Sequence, residues 1–268
     1  MMRNLVRPAD RSLCSDGTPV PTDETLWLSL LFLLVAVLYA SVGQAGASGY
    51  LAAMGLFGLP AATMKVTALS LNLLVAAIGT WQFWRAGDLS WRSFYPFGVL
   101  GVPFSLLGGA LQLPVHIYYP VVGIILILAA VQMVRAARRR PAEAKAPPAV
   151  PPFLPALLTG AVIGFISGTT GTGGGIFLAP VILSMNWVSF RRTAAVTANY
   201  NLLNSAAALA GAYSIIGAVP SALPFWLLAV GMGGAVGSFI GSRHLPEAVL
   251  RYMLAAILAA SGVKLLLS

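Results

Sequence analysis

Ten apolar runs, none with an aspartate or glutamate in its interior, dominate this chain. They lie at about 26–42, 47–60, 66–84, 94–111 and 115–134, then at about 154–168, 174–186, 193–213, 221–241 and 247–267. All seven acids (Asp10, Asp16, Asp23, Glu24, Asp88, Glu143 and Glu247) fall in tails or loops. A chain so built has few choices, because a bilayer accepts a helix of about 20 apolar residues and rejects unpaired charge. Only 9% of the 268 residues are charged, against about 25% in a soluble domain. The mean hydropathy is +0.86. An all-α polytopic membrane protein is expected.

The net charge of +9 reads in this setting as cytoplasmic loops rather than nucleic-acid binding. Cys14 is the only cysteine, so no intramolecular disulfide, no metal site and no cofactor are expected. Residues 1–25 read as a polar tail without the early apolar core of a signal peptide. An enzyme is not expected. The seven peripheral acids cannot complete a nucleophile, base and orienting carboxylate, and the glycine-rich stretch below lacks the Gly-Lys-Ser/Thr ending of a P-loop.

That stretch is Ser167-Gly168-Thr169-Thr170-Gly171-Thr172-Gly173-Gly174-Gly175, set between two apolar runs. Each glycine costs a helix about 1 kcal/mol relative to alanine, so the helix should break here. Broken backbone persists at membrane depth only where protein or a watery cavity accepts its polar groups. Gly43-Gln44-Ala45-Gly46-Ala47-Ser48-Gly49 is a weaker version. The runs flanking both breaks are short, which fits either a re-entrant hairpin or a pair of irregular spans.

Between the two sets of runs lies a basic, proline-rich linker, 135–153. Arg135, Arg138, Arg139, Arg140 and Lys145 stand against Glu143 alone, followed by Pro147, Pro148, Pro151 and Pro152. Basic excess places it in the cytoplasm. Arg85, Arg92, Arg191, Arg192, Arg243 and Arg251 then also fall inside. Arg3, Arg7, Arg11, Lys65 and Lys264 fall outside, as do both termini. The membrane repeats are 26–134 and 154–268.

The halves resemble each other in order. Gly43, Gly46 and Gly49 align with Gly168, Gly171 and Gly174; Lys65 and Asn72 align with Arg192 and Asn199; Gly101 and Leu113-Pro114 align with Gly231 and Leu245-Pro246. Each half makes an odd number of passages, so the second enters from the opposite side. The result is an inverted repeat, an arrangement that places a transporter's site near the midplane.

The form Ser-Gly-x-x-Gly-x-Gly-Gly-Gly before Pro180, then Arg192-Thr193-Ala194-Ala195-Val196-Thr197 on a duplicated chain, resembles the TauE/SafE sulfite exporter family. The resemblance covers roughly 26–268. It implies a bacterial inner-membrane transporter of sulfur-containing anions such as sulfite or organosulfonates. The first-half motif departs from the pattern at Gln44, Ala47 and Ser48.

For such an anion, a helix starting after a glycine break offers unpaired N–H groups and the positive end of its dipole. Candidate binding residues are Gly171, Thr172, Gly173 and Gly174, with Thr169 and Thr170 as hydroxyl donors. Gln44, Gly46, Ser48 and Gly49 are their counterparts across the repeat. The same glycines also suit close helix packing. Asn72 and Asn199 are candidates for substrate contact or for helix-to-helix bonding, as are Asn201 and Asn204 more weakly. Lys65 and Arg192 are candidates for drawing anions to each mouth, or for anchoring at the interface. No carboxylate lies inside a run to relay protons, and His116 and His244 sit near run ends. Passive or potential-driven anion movement by alternating access is therefore expected, with export as the direction the resemblance implies; the alternative is an anion channel, or an exchanger or uptake permease for another small anion. The expected partners are the anion and membrane lipids, with a homodimer as the candidate assembly.

Overall fold

The computed structural model describes residues 23–41, 44–138, 150–185, 187–212, 220–241 and 247–267. Cys14, Gly43, most of the linker, His244 and Leu245-Pro246 lie outside the described residues.

Ten helices form among the described residues, with no strand. They are α1 (Asp23–Ser41), α2 (Ala47–Phe57), α3 (Ala61–Arg85), α4 (Trp91–Ala110), α5 (Val115–Arg138), α6 (Phe153–Thr170), α7 (Gly175–Ser184), α8 (Phe190–Gly211), α9 (Leu223–Gly241) and α10 (Glu247–Leu266). Each matches one apolar run. The chain is an all-helical polytopic membrane protein. Four helices among the described residues, α3 to α6, are both long and apolar enough to cross a bilayer. α8 has 22 residues but is too polar to count, because it buries Thr193, Thr197, Asn199, Asn201, Asn204 and Ser205 inward. Its polarity faces protein, not lipid.

Large apolar side chains cover the outside, among them Trp27, Leu107, Leu158, Val162 and Leu228. Trp81, Trp84 and Trp91 are exposed around the α3–α4 turn, and the Arg85 guanidinium lies 4.8 Å over the Trp81 ring. Such pairs sit where apolar layer meets water.

Glycine ladders bring the helices together. α6 runs parallel to α4, with Gly160, Gly164 and Gly168 one turn apart against the carbonyls of Phe97, Gly101 and Ser105; a Cβ on any of them would lie 2.2 Å from that oxygen. α1 runs parallel to α9 in the same way, with Gly233 and Gly237 against Leu33 and Val37. Small residues at this spacing let helix backbones touch where lipid supplies no hydrophobic drive. Gly168, expected as part of the break, belongs to the ladder.

Mapping α1–α5 onto α6–α10 exchanges the principal packing pairs. α1 on α9 becomes α6 on α4, and α3 on α9 becomes α8 on α4. α2 on α10 becomes α7 on α5, while α3 on α8 and α5 on α10 map onto themselves. The α3–α8 pair therefore lies on the axis of this exchange, each helix packed against elements of both halves.

α2 and α7 have 11 and 10 residues, or roughly 16 Å at 1.5 Å per residue, about half of an apolar layer. Each folds back from its predecessor. Gly49 meets Val35 and Tyr39 of α1, and Gly174 meets Ser167 and Ile163 of α6. Each pair thus joins one long helix to a half-length helix, combining features of the two arrangements the sequence left open.

Candidate functional site

Both half-helices begin at a glycine in the left-handed region: Gly46 with φ 92° caps α2, and Gly174 with φ 81° caps α7. Gly171 and Gly173 are left-handed too, at 82° and 78°. Only glycine takes such angles readily, so these positions fix where the chain turns.

Each half-helix start is then held by an asparagine from a central helix. The Ala47 N–H donates to Asn72 Oδ1 at 3.1 Å, and the Gly175 N–H donates to Asn201 Oδ1 at 2.7 Å. Asn72 and Asn201 occupy the same position in α3 and α8, counted from Ala61 and Phe190. The structural counterpart of Asn72 is thus Asn201, not Asn199 as the sequence alignment had it. Likewise Gly46 corresponds to Gly174 rather than to Gly171.

The halves meet directly. Asn72 Nδ2 donates to Ser205 Oγ on α8 at 2.8 Å. A Cβ on Gly173 would lie 2.4 Å from Asn72 Nδ2 and 3.3 Å from the Ala47 Cβ, so the second-half loop passes over the first-half helix start. Where they cross is a narrow, partly open cavity with room for about one water-sized sphere. The expected residues Gln44, Gly46, Ser48, Asn72 and Thr172 line it. Tyr39, Ala45, Ala47, Ile176 and Asn201 line it as well.

Tyr39 OH and Ser48 Oγ are 2.8 Å apart, either one donating. Thr172 Oγ1 is 3.1 Å from Thr170 Oγ1, and Gln44 Oε1 is buried with no partner. Tyr50 is the first residue of α2 to bond inside the helix, donating to Gly46 O at 3.0 Å. The N–H groups of Ser48 and Gly49 therefore stay outside the ladder, as those of a first turn must.

The other expected residues stand apart from the cavity. Thr169 and Thr170 donate back to Phe165 O and Ile166 O at 2.8 and 2.7 Å. Gly171 rests on the Lys65 backbone, and Gly49 packs on α1. Gly173 and Gly174 shape the loop but do not line the cavity, and Asn199 is buried on α8 away from it.

Lys65 is 3% exposed. Its Nζ donates to Gly108 O, Gly109 O and Leu111 O at 3.1, 2.8 and 2.9 Å. All three ammonium donors are spent on the carbonyl end of α4, where a cation is favoured. This is a cap on α4 rather than a place at a mouth. Lys264 similarly donates to Leu56 O near the end of α2. Arg192 is exposed and lies off the cavity. No group of three or more His, Cys, Asp or Glu able to hold a metal occurs among the described residues.

A helical membrane bundle with two interrupted elements, their first turns bordering one narrow cavity, is the architecture of a membrane transporter. The comparisons agree. The family model described as "Sulfite exporter TauE/SafE" matches residues 28–265, and this chain belongs to that family. A curated protein from Sinorhizobium fredii (strain NBRC 101917 / NGR234), "Probable membrane transporter protein y4hK", is 54% identical over 243 residues, 91% of this chain and 98% of that protein. No solved structure matches.

Proposed function

We propose that the chain is a secondary transporter that moves a small sulfur-containing anion, sulfite or an organosulfonate, out across the bacterial inner membrane by alternating access. The observation that carries this reading is the convergence of the first turns of both half-helices, through Ala47 and Ile176, on one cavity bordered by Asn72 and Asn201. Two helix starts from different halves bring the positive ends of two dipoles to the same point. The halves are inverted repeats, and rocking one against the other opens the cavity to each side in turn. The narrowness of the cavity suits a closed state between the two. The linker lies in the cytoplasm and both termini in the periplasm. Proton coupling is not part of the mechanism, since no Asp or Glu lies inside an apolar run of the sequence.

The test is counterflow in proteoliposomes loaded with sulfite, thiosulfate, taurine or sulfoacetate. Saturable counterflow of at least one anion is expected. Large, non-saturating currents without counterflow would mark a channel instead. Proteoliposomes that move none of these anions while correctly folded would remove the substrate class.

A further inference from the structure

Two buried side chains tie helices together at one end of the bundle, where α4 finishes and α5 starts. Lys65 Nζ reaches from α3 to the last carbonyls of α4. Tyr118 OH of α5 donates to the carbonyl of Thr170, the last residue of α6, at 3.0 Å. α3 packs on α8 and α9, and α4 on α6 and α8. Among the described residues the ammonium therefore joins two helices that are not packed along each other's lengths. Gly171 completes the layer, since a Cβ there would lie 3.2 Å from the Lys65 Cα. Lys65 is two turns from Asn72, about 10 Å along α3, so the layer stands between the cavity and this end of the bundle.

The exchange of halves does not reproduce these ties. The register that pairs Asn72 with Asn201 pairs Lys65 with Ala194, and counting from the starts of α5 and α10 pairs Tyr118 with Leu250. Neither alanine nor leucine has a side-chain donor. The ties are also not what close packing needs. The α1–α9 ladder brings glycines against carbonyls as the α4–α6 ladder does, with no lysine at the equivalent position. Burying an ammonium is costly even when it is bonded, so its presence on one side alone calls for a role beyond packing.

We propose that Lys65 and Tyr118 form a one-sided latch. The cavity opens toward the end of α4 only when their bonds to the α4 and α6 carbonyls break, whereas the side of Ala194 opens without breaking such bonds. The latch rests on the alternating-access reading. Once released, the Lys65 ammonium, on the first turns of α3, extends to water.

The experiment reads opening on each side of the cavity by thiol labelling. Cys14→Ser removes the only native cysteine. Ala68→Cys, between Lys65 and Asn72, and Thr197→Cys, between Ala194 and Asn201, then place single thiols at exchange-related positions, both buried at 0% and 2% exposure. Labelling rates with a charged methanethiosulfonate are measured on the full chain in nanodiscs, where both faces meet the reagent. Tyr118→Phe removes one net hydrogen bond and should raise the ratio of Ala68→Cys labelling to Thr197→Cys labelling about 5-fold. Lys65→Met should raise it further and slow Thr197→Cys labelling, because one open state grows at the expense of the other. Folded Tyr118→Phe protein with an unchanged ratio overturns the latch and leaves alternating access intact. Equal acceleration at both positions marks general loosening, and a rise at Ala68→Cys with no fall at Thr197→Cys in the Lys65→Met chain marks local fraying of α4; either overturns the latch. If neither thiol labels faster than the chain unfolds globally, in native or variant background, the alternating-access reading itself is removed.

Discussion

Gly164→Ala and Gly79→Ala place the same methyl group in the middle of a helix, yet the structure assigns them opposite signs. Both gain the helix propensity that alanine has over glycine, about 0.5–1 kcal/mol. At Gly79 the new Cβ meets only the Ala198 Cβ, at 3.8 Å, an ordinary contact. At Gly164 it would lie 2.2 Å from the Gly101 carbonyl oxygen and 2.9 Å from the Gly101 Cα. Carbon and oxygen settle at about 3.3–3.6 Å, so α4 and α6 must part by roughly 1 Å. Both obstacles are backbone, and no rotamer change relieves them. Parting also opens gaps at Gly160 and Gly168, which use the same ladder, and such gaps forfeit dispersion contacts. Because the propensity gain is common to both variants, their difference isolates overpacking, about 1–3 kcal/mol. Thermal unfolding in detergent followed by far-UV circular dichroism measures it. Gly79→Ala should be at least as stable as the native chain and Gly164→Ala less stable. If Gly164→Ala matches Gly79→Ala, the α4–α6 contact is not the close backbone ladder described here.

Asn201→Ala leaves the Gly175 N–H without its acceptor and should cost about 1–3 kcal/mol in unfolding; Asn201→Asp keeps the acceptor, so it should retain more stability while losing anion transport in proteoliposomes. Gly173→Ala must hold a φ of 78° with its Cβ 2.4 Å from Asn72 Nδ2, so inserted protein should lose transport, whereas Ser48→Ala removes one hydroxyl and should only weaken it. Lys65→Met strips the cap from three carbonyls and should lower stability by more than about 2 kcal/mol, read by the same unfolding assay; unchanged stability would mean that the ammonium's burial offsets its three bonds. The double variant His116→Ala/His244→Ala should transport at the native rate with no substrate-dependent proton flux, and a proton flux in either protein counts against uncoupled movement.

The helices were legible because charge, proline or glycine separates each apolar run from the next, and the ten runs match the ten helices among the described residues. The location of the breaks was legible too, since glycines dense enough to end a helix are rare in apolar sequence. The assignment of particular side chains was harder. Thr169, Thr170 and Thr172 look equivalent in sequence, but helical periodicity turns the first two toward Phe165 and Ile166 in the preceding turn. Only Thr172, past the end of α6, reaches the cavity. Asn199 and Asn201 differ by two positions, about 200° around a helix of 3.6 residues per turn, and only a contact with Gly175 distinguishes them. Tyr39 carried no signal, because an aromatic in an apolar run usually packs in the core. Lys65 reads as a free cation until the C-terminal carbonyls of α4 are placed beside it.

The depth of the cavity follows from two lengths that must agree. α2 starts level with Asn72 and ends one short turn before α3 begins, so its 11 residues cover the same rise as the first half of α3. α7 and α8 repeat the relation with Asn201 and Gly175. A half-helix one turn longer would carry its first N–H about 5 Å past its asparagine, beyond any hydrogen bond. The side-chain partner therefore fixes where the half-helix can start, and its length fixes how far that start lies from its other end. Because α3 and α8 pack on each other, satisfying both constraints brings the two starts together. The Asn72–Ser205 bond then joins one half to the other at that level. The meeting of two helix starts is thus a consequence of matched lengths, and the glycines supply only the freedom to turn.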